Sequence, residues 1–153
     1  MLFSATILIS VATFFTLNAI IPTAGEAEIY DAFVRIHVIA NSDSEGDQEL
    51  KLKVRDALLD KMGKSEAGSK EEALSWLEEH KLELEGVAKE EIIKNGYSYD
   101  AKIEIGIEEY PTRNYEDFSL PAGKYTSVRV IIGEGSGQNW WCVLYPPLCN
   151  QGA

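Results

Sequence analysis

The sequence predicts an α+β domain of two layers, with two helices packed on one face of a mostly antiparallel four-stranded sheet, preceded by an N-terminal hydrophobic export helix. Three observations carry this expectation. Apolar residues recur at every second position in several short stretches, the period of a strand with one buried face. They recur at three- and four-residue spacing in two longer stretches, the period of a helix lying on a core. The stretches run strand, helix, helix, strand, strand, strand, an order that suggests helices gathered on one side of a sheet.

At 153 residues the chain suits one domain once its N-terminus is set aside. Residues 1–25 carry no charged side chain, and residues 1–21 are nearly all apolar or small, long enough to span a bilayer as a helix. They read as a signal peptide or an uncleaved membrane anchor. No Lys or Arg supplies a basic n-region, whereas Pro22, Thr23, Ala24 and Gly25 supply a turn and small residues where a peptidase can cut. On either reading, residues 26–153 form a single globular domain outside the cytosol. The net charge of −11 argues against nucleic acid, whose phosphates need Lys and Arg, and against electrostatic docking on anionic lipid. A basic protein partner or a divalent cation stays compatible with it.

The first strand lies within residues 34–40. Val34, Ile36, Val38 and Ala40 share an apolar face, and Phe33, Arg35, His37 and Ile39 share a mixed one, the pattern of an inner strand covered on one side only. Residues 41–47 read as a turn and helix entry, with Ser44 and Asp47 forming a capping box with the shorter acid. Acids and amides alternate there with Gly46 in the sixth place, as in an EF-hand, but Leu52 stands where the bidentate Glu belongs, so no metal is assigned. Residues 48–62 form a helix with Leu50, Val54, Ala57, Leu58 and Met62 inward, and Lys51, Lys53, Arg55 and Asp56 on a solvated face. Gly63 ends it.

Ser69 and Glu72 open a second, longer helix, whose stripe is Leu74, Leu77, Leu84, Ala88 and Ile92, widened by Trp76 and Val87. Asn95 and Gly96 close it, the interior Gly86 weakens it, and His80 sits among charges as an exposed residue. Residues 97–110 are the cleanest strand, with Tyr99, Ala101, Ile103, Ile105 and Ile107 alternating with polar residues or glycine. A long connection rich in turn formers leads to a strand at 125–132 and a last one at 140–145.

The most informative stretch is 133–149. Gly133, Gly135 and Gly137 mark a loop that turns tightly or admits a close approach. Trp140 and Trp141 then face opposite sides of their strand: one can enter the core, and the other covers a second layer or meets the surface. Pro146 and Pro147 stop the strand. Cys142 and Cys149 lie seven positions apart, and in an exported chain they read as a disulfide or as two buried free thiols.

Candidate contact residues follow from residue type. Trp, Tyr and Arg are the usual interface anchors. They are the outward-facing member of Trp140 and Trp141, the loop with Gly135, Gly137 and Asn139, the segment Pro111, Thr112, Arg113 and Tyr115, and the turn Asn41, Ser42 and Asp43. Each also has a structural reading: core tryptophan, hairpin turn, loop and helix cap. No catalytic residue and no cofactor are expected. His37 and Cys142 are the one imaginable nucleophilic pair, His37, Cys142 and Cys149 match no zinc spacing, and no phosphate-binding or serine-hydrolase motif occurs. An aromatic-rich cell-wall or glycan-binding module without catalysis is the alternative to a protein-binding one.

Two blocks are recognisable. One runs Arg35-Ile36-His37-Val38-Ile39-Ala40-Asn41-Ser42-Asp43-Ser44 and on through Leu50-Lys51-Leu52-Lys53-Val54-Arg55-Asp56-Ala57. The other runs from Gly133 through Asn139-Trp140-Trp141-Cys142 to Pro146-Pro147-Leu148-Cys149. With Pro111-Thr112-Arg113, Tyr115, Leu120-Pro121-Ala122-Gly123 and Tyr125, they closely resemble the stage II sporulation protein R family of endospore-forming Firmicutes, over about residues 30–149. The resemblance implies a signalling protein rather than an enzyme. Such a protein is exported from the forespore into the intermembrane space. There it triggers a membrane-embedded aspartic protease of the mother cell, the sigma-E factor-processing peptidase. The family brings no catalytic residues to carry over, and its members often continue past the second cysteine with a polar tail.

Overall fold

A computed structural model of the chain describes residues 29–115 and 118–149. The expected export helix falls within residues 1–28, outside the described residues, and the fold below is that of the unit from Ala32 onward. Strand β1 (Val34–Ile39) leads into helix α1 (Glu45–Met62), then helix α2 (Lys70–Lys94). Strands β2 (Ala101–Tyr110), β3 (Arg113–Asn114), β4 (Ser119–Leu120), β5 (Gly123–Ile132) and β6 (Asn139–Tyr145) follow. Both helices begin where a serine caps them: Ser44 Oγ accepts from the Asp47 amide at 3.2 Å and Ser69 Oγ from the Glu72 amide at 3.1 Å.

The four long strands form one sheet in the order β2-β5-β1-β6. The α+β class and the four strands agree with the sequence, but the sheet is mixed rather than simply antiparallel. β2 with β5 and β1 with β6 are antiparallel, while the central pair, β1 and β5, is parallel from Val34 opposite Thr126 to Ile39 opposite Ile131. Alternation along a strand specifies which face each residue takes; it carries no information on the neighbour or its direction. The helices intervene between β1 and β2, and the β2–β5 unit then returns so that β5 lies beside β1.

Val34, Ile36 and Val38 of β1 share one apolar cluster with Leu50, Val54 and Leu58 of α1, with Leu84, Ala88 and Ile92 of α2, and with Ile103, Val128 and Val130 of the sheet. Burying each aliphatic side chain contributes about 1.5–3 kcal/mol, so this helix-covered face holds the fold together. The opposite face departs from expectation. Arg35 and His37 are buried as well, so β1 is covered on both sides. Tyr110 of β2, Tyr125 of β5 and Trp141 of β6 provide that second cover.

Three local readings also change. The connection after β2 contains a short antiparallel ladder, with Arg113 opposite Leu120 and Asn114 opposite Ser119, and it brings Tyr115 onto Phe118 with ring centroids 4.6 Å apart. His80 is half-buried, stacked 4.3 Å from Trp76 one helical turn away. Lys51, expected on a solvated face, is only 6% exposed because its ammonium reaches across to the loop before β6.

Candidate functional site

The register of the sheet assembles a cluster on the face away from the helices. β1 sets His37 beside Trp141 of β6 and beside Arg129 of β5, and β5 sets Arg129 opposite Glu104 of β2. The His37 and Trp141 rings stack at 4.6 Å and 9°. Tyr110 meets both edge-on, at 5.6 Å from His37 and 4.9 Å from Trp141. The His37 Nε2 lies 2.7 Å from Glu108 Oε2, and Glu108 Oε1 lies 3.0 Å from Arg129. Arg129 also donates to Glu104, which accepts from Lys102 at 2.6 Å. A polar ladder thus crosses the sheet from the Trp141 ring to the β2 edge.

The electrostatics of this ladder are uneven. Burial lowers the His37 pKa below its ordinary 6.5, and the Glu108 carboxylate offsets only part of that shift. The neutral imidazole is therefore the ground state at neutral pH. Glu104, held by the Lys102 ammonium and then by Arg129, titrates at about 2. Arg35 lies deeper and is 0% exposed. Its guanidinium sits 3.9 Å from the Tyr110 centroid and 4.7 Å from that of Tyr125, and its Nη2 donates to the Tyr115 hydroxyl at 3.1 Å. Its Nε and Nη1 have no partner among the described residues. The Tyr110 and Ser127 hydroxyls complete the floor at 2.6 Å from each other.

The tandem tryptophans part as alternation requires. Trp140 lies on the helix side, packed against the core, with the Arg55 guanidinium 4.9 Å from its ring centroid. Trp141 takes the opposite face, half-buried, with the Arg113 guanidinium 4.8 Å from its centroid. Of the expected contact residues, the structure brings Arg113 and Trp141 into contact, and Tyr115 joins the same cluster through Arg35. Pro111 and Thr112 are exposed on the same connection, where Thr112 Oγ1 accepts from the Ala122 amide at 3.1 Å.

The turn at Asn41, Ser42 and Asp43 and the glycine loop lie at the end of the sheet and bond to each other. Asn41 Oδ1 accepts from the Glu134 amide at 3.0 Å, Asp43 Oδ1 from the Gln138 amide at 2.7 Å, and the Ala40 carbonyl from the Gly137 amide at 3.0 Å. Ser42 Oγ and Asn41 Nδ2 donate to the Asp47 carboxylate at 2.5 and 2.9 Å. Burial pushes the Asp47 pKa up, but these hydrogen bonds outweigh it and leave the carboxyl below its usual range. Lys51 Nζ closes the clasp on the Gln138 carbonyl at 2.9 Å. The acid-and-amide run that resembles a calcium loop is used here as a helix cap joined to a loop. Gly135 takes φ +59°, and a Cβ on Gly137 would stand 2.3 Å from the Ser42 carbonyl oxygen, so glycine is required at both. Asn139 is exposed at the start of β6, opposite Ile39.

The cysteines sit on the other side of β6. Cys142 aligns with Ile36 and belongs to the helix-side core, whereas His37 occupies the opposite face, so the sheet keeps the imagined His37–Cys142 pair apart. Cys142 and Cys149 are free thiols. Sequence reasoning missed Arg35, Glu108, Tyr110, Tyr125, Ser127 and Arg129 as parts of the cluster. A signal for Arg35 and His37 was present in the mixed face of the first strand. The others become visible only with the strand order.

The fold and this face define a class: a small α+β domain whose sheet carries an aromatic and guanidinium cluster on the side its helices leave free. Residues 30–153 match the family Stage II sporulation protein R (spore_II_R). The chain is also 37% identical over 123 residues to the stage II sporulation protein R of Bacillus subtilis (strain 168), a match covering 79% of this chain and 55% of that protein. The chain thus spans about half the length of that relative. No solved structure matches. The chain belongs to the stage II sporulation protein R family.

Proposed function

We propose that this chain is a signalling protein of sporulation. It is exported from the forespore through its apolar N-terminus and activates a membrane-embedded aspartic protease of the mother cell, which then removes the pro-sequence of sigma-E. Family membership supports the sporulation role, and the charge-free residues 1–25 support export. The observation that carries the docking face is Trp141: it leaves the core at the strand position after Trp140 and stands half-buried beside Arg113 and Tyr110. A half-buried indole flanked by arginine and tyrosine is the composition of interface anchors. The protein acts by contact and performs no chemistry of its own.

The test is co-expression of this chain with the protease and the sigma precursor in a non-sporulating host. Processing that requires this chain, and that Trp141→Ala and Arg113→Ala each reduce at least tenfold, supports the reading. Processing that proceeds without the chain, or that both variants leave intact, rejects it. Retention on purified cell wall with no effect on processing favours the glycan-binding alternative.

A further inference from the structure

The docking face makes no use of the two cysteines, which lie on the helix-covered side, Cys142 within β6 and Cys149 shortly after it. The Val143 carbonyl gathers three donors: the Leu148 amide at 3.3 Å, Cys149 Sγ at 2.9 Å and, more weakly, Cys142 Sγ at 3.8 Å. The Leu148 bond turns the chain back after Pro146 and Pro147 and lays Cys149 against the strand that carries Cys142. With both sulfurs directed at one oxygen, the thiols are neighbours. Their surroundings differ. Cys142 is 1% exposed in the helix-side core, while Cys149 is half-buried and lines a cavity of about 280 Å³ together with Leu59, Met62, Trp76, Leu144 and Tyr145.

We propose that Cys142 and Cys149 form a dithiol site that closes to an intramolecular disulfide by exchange with a small-molecule or protein disulfide. The cavity admits the oxidant to Cys149. The Cys149 thiolate attacks one sulfur of the oxidant and expels the first thiolate, leaving a mixed disulfide. The Cys142 thiolate then attacks the Cys149 sulfur and expels the second. Two cysteine thiols are oxidised, the oxidant disulfide is reduced to two thiols, and the protons released by the cysteines go to the departing thiolates. Access sets this division of labour: Cys149 lines the cavity and meets the oxidant first, while Cys142, sealed in the core, is reached only by the Cys149 sulfur and resolves the intermediate. The bridge ties the segment after Pro147 to β6 and closes a loop of few residues, which restricts the unfolded chain.

The test treats the full purified chain with glutathione disulfide, then traps remaining thiols with N-ethylmaleimide after denaturation and weighs the intact protein. The expected product is monomeric, lighter than the reduced chain by two hydrogens, carries neither maleimide nor glutathione, and melts several degrees higher than the reduced chain. Cys142→Ser is expected to stop at a stable glutathione adduct on Cys149. The proposal is overturned if wild type keeps two maleimide-reactive thiols under the oxidant, accumulates the glutathione adduct without closing, or links only between chains. These readouts come from the wild-type chain, so a variant that fails to fold leaves them intact.

Discussion

Trp140 and Trp141 are chain neighbours with opposite surroundings, and their substitutions are expected to separate stability from signalling. Trp140 packs on the helix-side core, so Trp140→Ala should cost about 2–3 kcal/mol, less than the removal of a fully buried indole because this ring is half-buried. Trp141 gives up a ring stack with His37 and a guanidinium contact with Arg113, so Trp141→Ala should cost about 1 kcal/mol and leave a folded chain. Urea unfolding checks both values. The idea of divided roles fails if Trp141→Ala destabilises the chain more than Trp140→Ala while sparing sigma-precursor processing. Residue type alone nominated the Trp140–Trp141 pair, Arg113 and Tyr115. It could not nominate Arg35, because a strand arginine is ordinarily solvated and its burial here depends on three tyrosines from other elements.

At the scale of elements, two glycines test opposite sides of the same rule. Gly137 lies where the loop before β6 crosses the turn after β1, with Ser42 backbone atoms occupying the space a side chain needs. Gly137→Ala is therefore expected to destabilise by about 1–3 kcal/mol, the range for forcing extra atoms into a packed contact. Gly86 lies inside α2, where an alanine methyl would meet no atom within 4 Å. Gly86→Ala should stabilise by about 0.5–1 kcal/mol, because alanine restricts the unfolded chain and favours the helix. Thermal melts of the two variants should shift in opposite directions; a shift of the same sign would refute the local packing described here. Both helices, their serine caps and four strands are legible from periodicity and capping residues. The β3–β4 ladder is not, because two paired residues per strand leave no period to read.

For the whole molecule, the pH dependence follows from the ladder across the sheet. The native state holds His37 less basic than the unfolded chain does, so below about pH 6.5 the unfolded chain takes up a proton that the folded one resists, and stability falls. Glu104 has its folded pKa depressed to about 2, so its contribution is complete above pH 4.5 and is lost only as the pH falls from there toward 2. The expected profile is flat from pH 8 to 7, declines first with histidine titration, and declines again in the carboxylate range. His37→Gln should flatten the first decline and leave the second. Melting temperatures of the two proteins across pH 4–8 provide the check, and an unchanged first decline in the variant would remove His37 from the account.

The sequence by itself determined the two helices, the four long strands, the face each strand residue takes and the split of the tandem indoles, because these depend on periods and caps carried within a few neighbouring residues. Only the tertiary structure decided that β5 runs parallel to β1, that the turn at Asn41 and the glycine loop bind each other, and that Arg35, His37, Tyr110 and Trp141 meet on one face. Those outcomes depend on which strands become neighbours, and that choice is made by burying the helix-side core as a whole rather than by any local stretch.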